Sequence, residues 1–287
     1  MQKVIYAHEH IIIDLSGPKN DDDCRLDDRD LTQNGLYKLK DSSVNIIIDQ
    51  TAIGMGRDVL YAKELTDNAG IELCHATGFY KEPFLPDQCY KMNEQEMTKL
   101  FCKELEVGID ETGILASHIG EIGTGKDSIS EVERKIFSAA SRAHNQTGAP
   151  ICTHTTLGTL GIEQLELFKQ YNVNLEKVVL SHIDLSGDIE YMIKLLDFGV
   201  NIAFDTIGKN NYQLDADRIK WLNELCNRGY QKQIVASMDL TRKSNCKELG
   251  YDYLVKRFIP NLKITGFKDA WINDILWDNP YRIYINN

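Results

Sequence analysis

Short apolar, β-branched runs recur along the whole chain, at 3–11, 44–51, 71–78, 114–123, 150–155, 177–184, 200–206 and 233–239. Their apolar character is continuous rather than alternating, which suits parallel strands covered on both faces. Helical patterns separate them at 96–109, 131–148, 163–174, 188–199 and 215–229. The clearest of these places Val132, Ile136, Ala139, Ala140 and Ala143 on one face. It opens on a Ser130-x-x-Glu133 capping box and stops at Gly148. No Pro-, Gly- or Ser-rich linker interrupts the alternation. Eight such units predict an α/β fold of one kind, a single (β/α)8 TIM barrel spanning residues 1–287. The rival, an open doubly wound sheet, ordinarily has fewer strands and a glycine-rich turn after the first; none follows KVIYAHEH.

The net charge of −11 comes without any basic stripe, which argues against nucleic acid as a partner. A small anionic substrate stays compatible, because local Arg and Lys can override the global field. Seven cysteines, an odd number with no Cys-x-x-Cys pair, fit neither a disulfide framework nor a cysteine zinc site. The first residues, MQKVIYAHEHIIID, lack the basic and long apolar regions of a signal peptide or a membrane span. The expectation is a cytoplasmic protein with no membrane association.

Polar residues collect at the ends of the runs: His8-Glu9-His10 on the first, Glu121 on the fourth, His154 on the fifth, His182 on the sixth and Asp239 on the eighth. In a barrel the C-terminal ends of the strands converge on one mouth, where active sites lie. Residues i and i+2 of a strand share a face, so His8 and His10 can offer imidazoles to one ion. Four imidazoles and two carboxylates exceed the needs of one tetrahedral ion. Two divalent ions sharing a bridging carboxylate account for the surplus. The other histidines, His75, His118 and His144, read as packing or surface residues.

Two further stretches imitate known sites. GEIGTGKD at 120–127 approaches a phosphate-gripping loop, but Asp127 stands where Ser or Thr must hold magnesium. The nearest helix start, moreover, is several residues later. Its working residue is therefore Glu121, facing inward from the fourth strand. Asp21-Asp22-Asp23 suggests a calcium loop, yet Leu26 and Thr32 occupy the positions that require Gly and Glu. That stretch reads as a solvated or substrate-facing loop.

Together AHEHIIIDLSG, GEIGTG, ICTHT, LSHID, FDTIGKN and SMDLTRK resemble the phosphotriesterase family of the amidohydrolase superfamily, and within it the phosphotriesterase homology protein branch. The resemblance runs from His8 to the NPYRIY tail. It implies a barrel with a binuclear centre, commonly zinc, although manganese and cobalt suit similar ligands. By the resemblance, His8, His10 and Asp239 hold the more buried ion, and His154 and His182 the more exposed one. Glu121 bridges them where the phosphotriesterases proper carry a carboxylated lysine. That departure weakens any inference of organophosphate hydrolysis.

The expected chemistry is hydrolysis of an ester-type bond by hydroxide bridging the ions. Asp239 serves as proton acceptor, and Tyr80 resembles a family tyrosine that reaches the centre and could donate to the polarised oxygen. Arg25, Lys209, Arg242 and Lys243 are the candidate substrate-binding cations. With the phosphorylated sugar lactones opened by some relatives, they point to a phosphorylated sugar lactone or a carboxylic ester as substrate. The alternatives are a phosphotriesterase, an amide-cleaving enzyme of the wider superfamily, or a metal-binding barrel without catalysis. A homodimer is expected from the resemblance alone.

Overall fold

The structure is a computed structural model describing residues 3–286. Every apolar run becomes a strand, a little shorter than its hydrophobic pattern: β1 (Val4–Glu9), β2 (Val44–Asp49), β3 (Glu72–Thr77), β4 (Ala116–Thr124), β5 (Ile151–Thr155), β6 (Val178–Ser181), β7 (Asn201–Phe204) and β8 (Ile234–Ala236). They pair in parallel and in chain order from β1 to β8. The seam is closed by the segment after β8. Asp239 N–H donates to the His8 carbonyl at 3.3 Å. The buried Glu9 carboxylate accepts from Ser237 Oγ and from the amides of Met238 and Leu240, at 2.9, 2.9 and 3.0 Å. The result is a nearly closed (β/α)8 barrel.

Two apolar layers hold it. Ile5, Ala7, Ile46, Ile48, Val179 and Val235 form part of one inner cluster, which Ile283 and Tyr284 of the C-terminal tail join. Tyr284 sits beside Glu72 and Ala116, the first residues of β3 and β4, so the tail plugs the end opposite the mouth. The larger layer lies between strands and surrounding helices. Those helices include α1 (Arg29–Lys40), α2 (Val59–Ala69), α3 (Glu94–Glu106), α4 (Glu131–Thr147), α5 (Gly161–Gln170), α6 (Ile189–Asp197) and α7 (Asp215–Asn227). The capping box of α4 forms as its sequence requires.

The helices α1 and α2 stand outside the helical patterns named from the sequence. In α1 the signal is blurred by Asn34-Gly35 at mid-helix, both poor helix formers. Gly35 is there for packing: a β-carbon would meet the Tyr251 ring at 2.5 Å. The loop after β1 adds a two-stranded ribbon, Ile13–Asp14 against Arg25–Leu26. Its acidic triplet is tied down rather than freely solvated. Asp21 pairs with Arg242, and Asp23 accepts from the amide and hydroxyl of Ser244.

All seven cysteines are free thiols, and all except the half-buried Cys102 are buried. Burial pushes Cys74, Cys226 and Cys246 up to about 12. Among the described residues no helix is long and apolar enough to cross a membrane.

Candidate metal centre

Strict alternation would not bring the ligands inward. In β1, Ile5 and Ala7 belong to the inner cluster while Val4 and Tyr6 belong to the outer layer. By parity His8 would follow Tyr6 outward. The pairing with β2 shifts register between Tyr6 and Glu9, and His8 turns into the mouth. In β4 the outer layer takes both Ile119 and Ile122, three residues apart. The register with β5 shifts between those same two residues, and Glu121 is re-aimed inward. Gly120 makes this bend: its φ is +147°, and a β-carbon would lie 2.4 Å from the Cys152 carbonyl oxygen. The Gly120–Glu121 peptide is cis.

Six side chains then meet. Glu121 Oε2 lies 3.2 Å from His154 Nδ1, 3.5 Å from His182 Nε2 and 3.7 Å from His8 Nε2. Asp239 Oδ1 lies 3.3 Å from His10 Nε2 and 3.6 Å from His8 Nε2. The Nε2 atoms of His8 and His10 are fully buried and make no well-formed hydrogen bond. Ligands set tetrahedrally at about 2.0–2.1 Å around one zinc-like ion stand about 3.3 Å apart. The spacing thus fits donor atoms around shared cations. Among the described residues, the donor atoms of two groups, His8–Glu121–His182 and His8–His10–Asp239, lie within 4.8 Å of one another. The arrangement is consistent with a divalent metal centre.

Buried partners hold the imidazoles in one tautomer. His182 Nδ1 lies 2.9 Å from Asp205 Oδ1, and His8 Nδ1 lies 3.0 Å from Asp205 Oδ2. That carboxylate orients His182 by a hydrogen bond and faces His8 as a charge, while His8 Nδ1 has its hydrogen-bond partner in Ser181 Oγ at 3.0 Å. His10 Nδ1 lies 2.9 Å from Thr51 Oγ1, whose own proton goes to the Ile12 carbonyl. The threonine oxygen is left to accept, so Nδ1 of His10 donates. In the rings of His182 and His10 the proton on Nδ1 leaves the Nε2 lone pair facing the centre. Asp205 and Thr51 were not singled out from the sequence. Each is a lone polar residue beyond a strand end, and neither has a partner at a telling spacing.

Electrostatics follow from this packing. Burial would raise the Glu121 carboxyl, but His154, His182 and His8 around it hold it well below the usual carboxylate range. Burial opposes the charge on Asp239 too, and Lys209 with His10 outweighs it, so Asp239 stays ionised. Burial, with Glu121 and Asp239 nearby, raises the Tyr80 phenol and keeps its proton on. That hydroxyl lies 3.0 Å from His154 Nδ1.

The centre floors a cavity of about 400 Å³. Lys209 and Arg242 line it. Lys209 Nζ donates to Asp239 Oδ2, and Arg242 pairs with Asp21 at 2.7 Å and Asp23 at 3.5 Å. Arg25 and Lys243 are not on the cavity wall. Arg25 pairs with Asp14 at 3.0 Å and Lys243 with Asp27 at 3.0 Å. His75 and His118 are buried within the strands; His144 packs at the end of α4 against the Ala149 carbonyl. Lys126 and Asp127 of GEIGTGKD are exposed, and α4 begins only at Glu131.

Comparison with known proteins agrees with this geometry. The family model described as "Phosphotriesterase family" matches residues 3–284. The phosphotriesterase homology protein of Escherichia coli is 40% identical over 97% of this chain and 96% of its own length. Its crystal structure, complexed with phosphate in the active site, superposes with a TM-score of 0.96 over 99% of both chains. The N-acetyltaurine hydrolase of Dictyostelium discoideum is 28% identical, covering 92% of this chain and 75% of that protein. The phospho-furanose lactonase of Mycoplasmopsis synoviae is 28% identical, covering 96% and 86%. A lactonase from Listeria monocytogenes superposes with a TM-score of 0.93 at 28% identity, over 100% and 95% of the two chains.

Proposed function

Because the chain belongs to the phosphotriesterase family, we propose that it is a metal-dependent hydrolase whose substrate is a phosphorylated sugar lactone. The observation that carries this reading is the convergence of four histidines and two carboxylates at the floor of one cavity. His8, His10 and Asp239 would hold one divalent ion and His154 and His182 a second, with Glu121 between them. Zinc, manganese and cobalt all suit these donors. When bound, such ions make a water acidic enough to be a nucleophile near neutral pH and polarise the oxygen of the bond under attack.

The protein's own groups do the rest. Tyr80 keeps its proton and donates a hydrogen bond to the carbonyl oxygen as negative charge develops there. The attacking water gives its proton to Asp239, whose Oδ2 is held by Lys209. Asp239 then returns that proton to the departing ring oxygen, opening the lactone to a hydroxy acid. Its low basicity suffices because the water is itself acidified. Asp205 and Thr51 fix the rings of His182 and His10, and Ser181 holds that of His8, so the floor does not reorganise during the reaction.

Support for the lactone comes from relatives named for phospho-furanose lactonase and lactonase activity. With Glu121 in the position where it would bridge such ions, this chain departs from the phosphotriesterases proper, so phosphotriester cleavage is expected only as a weak side reaction. The test is a screen of zinc- or manganese-loaded protein against phosphorylated and plain lactones, carboxylic esters and phosphotriesters. Phosphorylated lactones should lead by at least about tenfold in kcat/KM, and Asp239→Asn should lose most of that turnover. Phosphotriesters as the fastest substrates would overturn the reading. Full metal content with no turnover of any ester would favour the non-catalytic barrel.

A further inference from the structure

The wall of the cavity carries four cations, Lys19, Lys81, Lys209 and Arg242. Two are already neutralised, Lys209 by Asp239 and Arg242 by Asp21 and Asp23. Lys19 and Lys81 differ: among the described residues neither has a carboxylate within ion-pair distance. Lys81 Nζ donates only to the Glu82 carbonyl, at 3.0 Å. Yet Lys81 is about nine-tenths buried. Its stem packs against Gly123, where a β-carbon would meet Lys81 Cβ and Cδ at 3.2 Å and His154 Cβ at 2.9 Å. The two ammonium groups share one ring: Lys81 Nζ is 5.4 Å and Lys19 Nζ 5.8 Å from the centroid of Phe84.

This arrangement is unfavourable without a ligand. Burial lowers the Lys81 ammonium from its ordinary value, Glu133 and Glu121 partly restore it, and the like charge of Lys19 lowers it again. The chain has 43 acidic residues to 32 basic ones, so a carboxylate partner was readily available. Leaving the buried Lys81 ammonium on a cavity wall without a carboxylate is costly unless an anion enters beside it. The lining also includes the uncharged Leu157, Leu185 and Tyr212.

We propose that Lys19 and Lys81 form an anion subsite that grips the charged tail of the substrate, a compact oxyanion such as phosphate or sulfonate, while the bond to be cleaved sits over the metal centre. The subsite rests on the hydrolase reading for its place in the reaction, but not for its ability to bind an anion. It assigns substrate selection to two residues other than the paired cations Lys209 and Arg242. Phosphate and sulfonate are separate arms of the test, because both share the chemistry that two ammonium groups recognise.

The experiment compares wild type, Lys19→Met, Lys81→Met, the double variant and Lys81→Arg, all loaded with zinc. Binding is read first, with inorganic sulfate and inorganic phosphate as probes in titration calorimetry. The double variant should bind both at least tenfold more weakly, the loss should shrink as salt rises, and Lys81→Arg should recover most of the affinity. Kinetics come second. KM for a phosphorylated lactone should rise at least tenfold in the double variant, with kcat within about twofold and the plain lactone unaffected. Lys19 is exposed, so Lys19→Met alone is a variant whose folding is not at risk. Unchanged anion affinity in the double variant would overturn the subsite even if lactonase activity is found. An equal rise in KM for charged and plain lactones would do the same, since it marks a structural role. If no lactone is turned over, the lactonase reading fails by itself, and the calorimetry still decides the subsite.

Discussion

At the residue scale the centre depends on atoms that never face the substrate. Asp205 Oδ1 accepts from both Nδ1 and the amide of His182 at 2.9 Å, while its Oδ2 stands 3.0 Å from His8 Nδ1 as a charge partner. Removing such a partner typically costs 10–100-fold in metal affinity. Asp205→Ala is therefore expected to lose about that much affinity for zinc while the barrel stays folded. Metal content after dialysis against a buffered chelator, read beside circular dichroism, checks this; wild-type retention would remove the orienting role. The side chains that converge were themselves legible in the sequence. Histidine is rare in this chain, and His8, His10, His154 and His182 fall beside strand ends. The orienting residues were not legible, because nothing in the spacing of a single Asp or Thr reveals a hydrogen-bond partner 23 or 41 positions away. The cations show a different limit. Lys209, Arg242 and Lys243 drew notice by lying near strand ends and Arg25 by lying in the first loop, yet each has a carboxylate partner. Lys19 and Lys81 passed unnoticed, although the difference lies in ion pairing, which sequence position does not display.

At the scale of elements, strand existence was easy to read and strand orientation was not. Continuous apolar runs carry no parity signal, so period-2 reasoning said correctly that His8 and His10 share a face but not which face. The register shifts in β1 and β4 decide it, and each lies beside a ligand. Gly120 is the testable part of that device. An alanine there would hold φ near +147°, a region L residues rarely adopt, and push its methyl into the Cys152 carbonyl. Strain of this kind costs of order 1–3 kcal/mol before the collision is counted. Gly120→Ala should lower the unfolding free energy by at least about 2 kcal/mol and release metal in parallel. Urea denaturation of the zinc-loaded protein measures both. A variant with unchanged midpoint and full metal content would show that β4 can reach Glu121 by another path. The same bend explains the resemblance of GEIGTGKD to a nucleotide loop. Its first glycine serves the bend in β4, and the loop turns over Lys126 and Asp127 in solvent.

At the scale of the whole molecule, stability and pH are joined through the barrel interior. His118 points from β4 into that interior. Its Nε2 lies 3.1 Å from Gln50 Oε1, its Nδ1 2.9 Å from Ser117 Oγ, and its ring meets Tyr284 of the C-terminal plug edge-on at 5.4 Å. Burial, aided by His75 and His8, pushes its pKa down to about 3. In the unfolded chain the same imidazole titrates near 6.5. Between those two values the unfolded state binds a proton that the folded state refuses. Stability from this group is therefore fully present above pH 6.5 and is lost as pH falls toward 3. The loss approaches about 1.4 kcal/mol per pH unit once the unfolded chain is protonated. Ligand protonation destabilises the zinc-loaded barrel over the same range, so an acid-induced fall in the wild type alone is ambiguous. His118→Gln isolates the term, since glutamine has no proton to gain and the metal contribution is common to both proteins. The variant should be less stable at pH 7.5, where the interior has lost a fitted ring, and the gap should close by about 1–2 kcal/mol between pH 6.5 and 5. Parallel urea curves across that interval give the difference directly. A gap that stays constant would mean that His118 already carries its proton in the folded barrel, and that the tail plug tolerates a buried imidazolium.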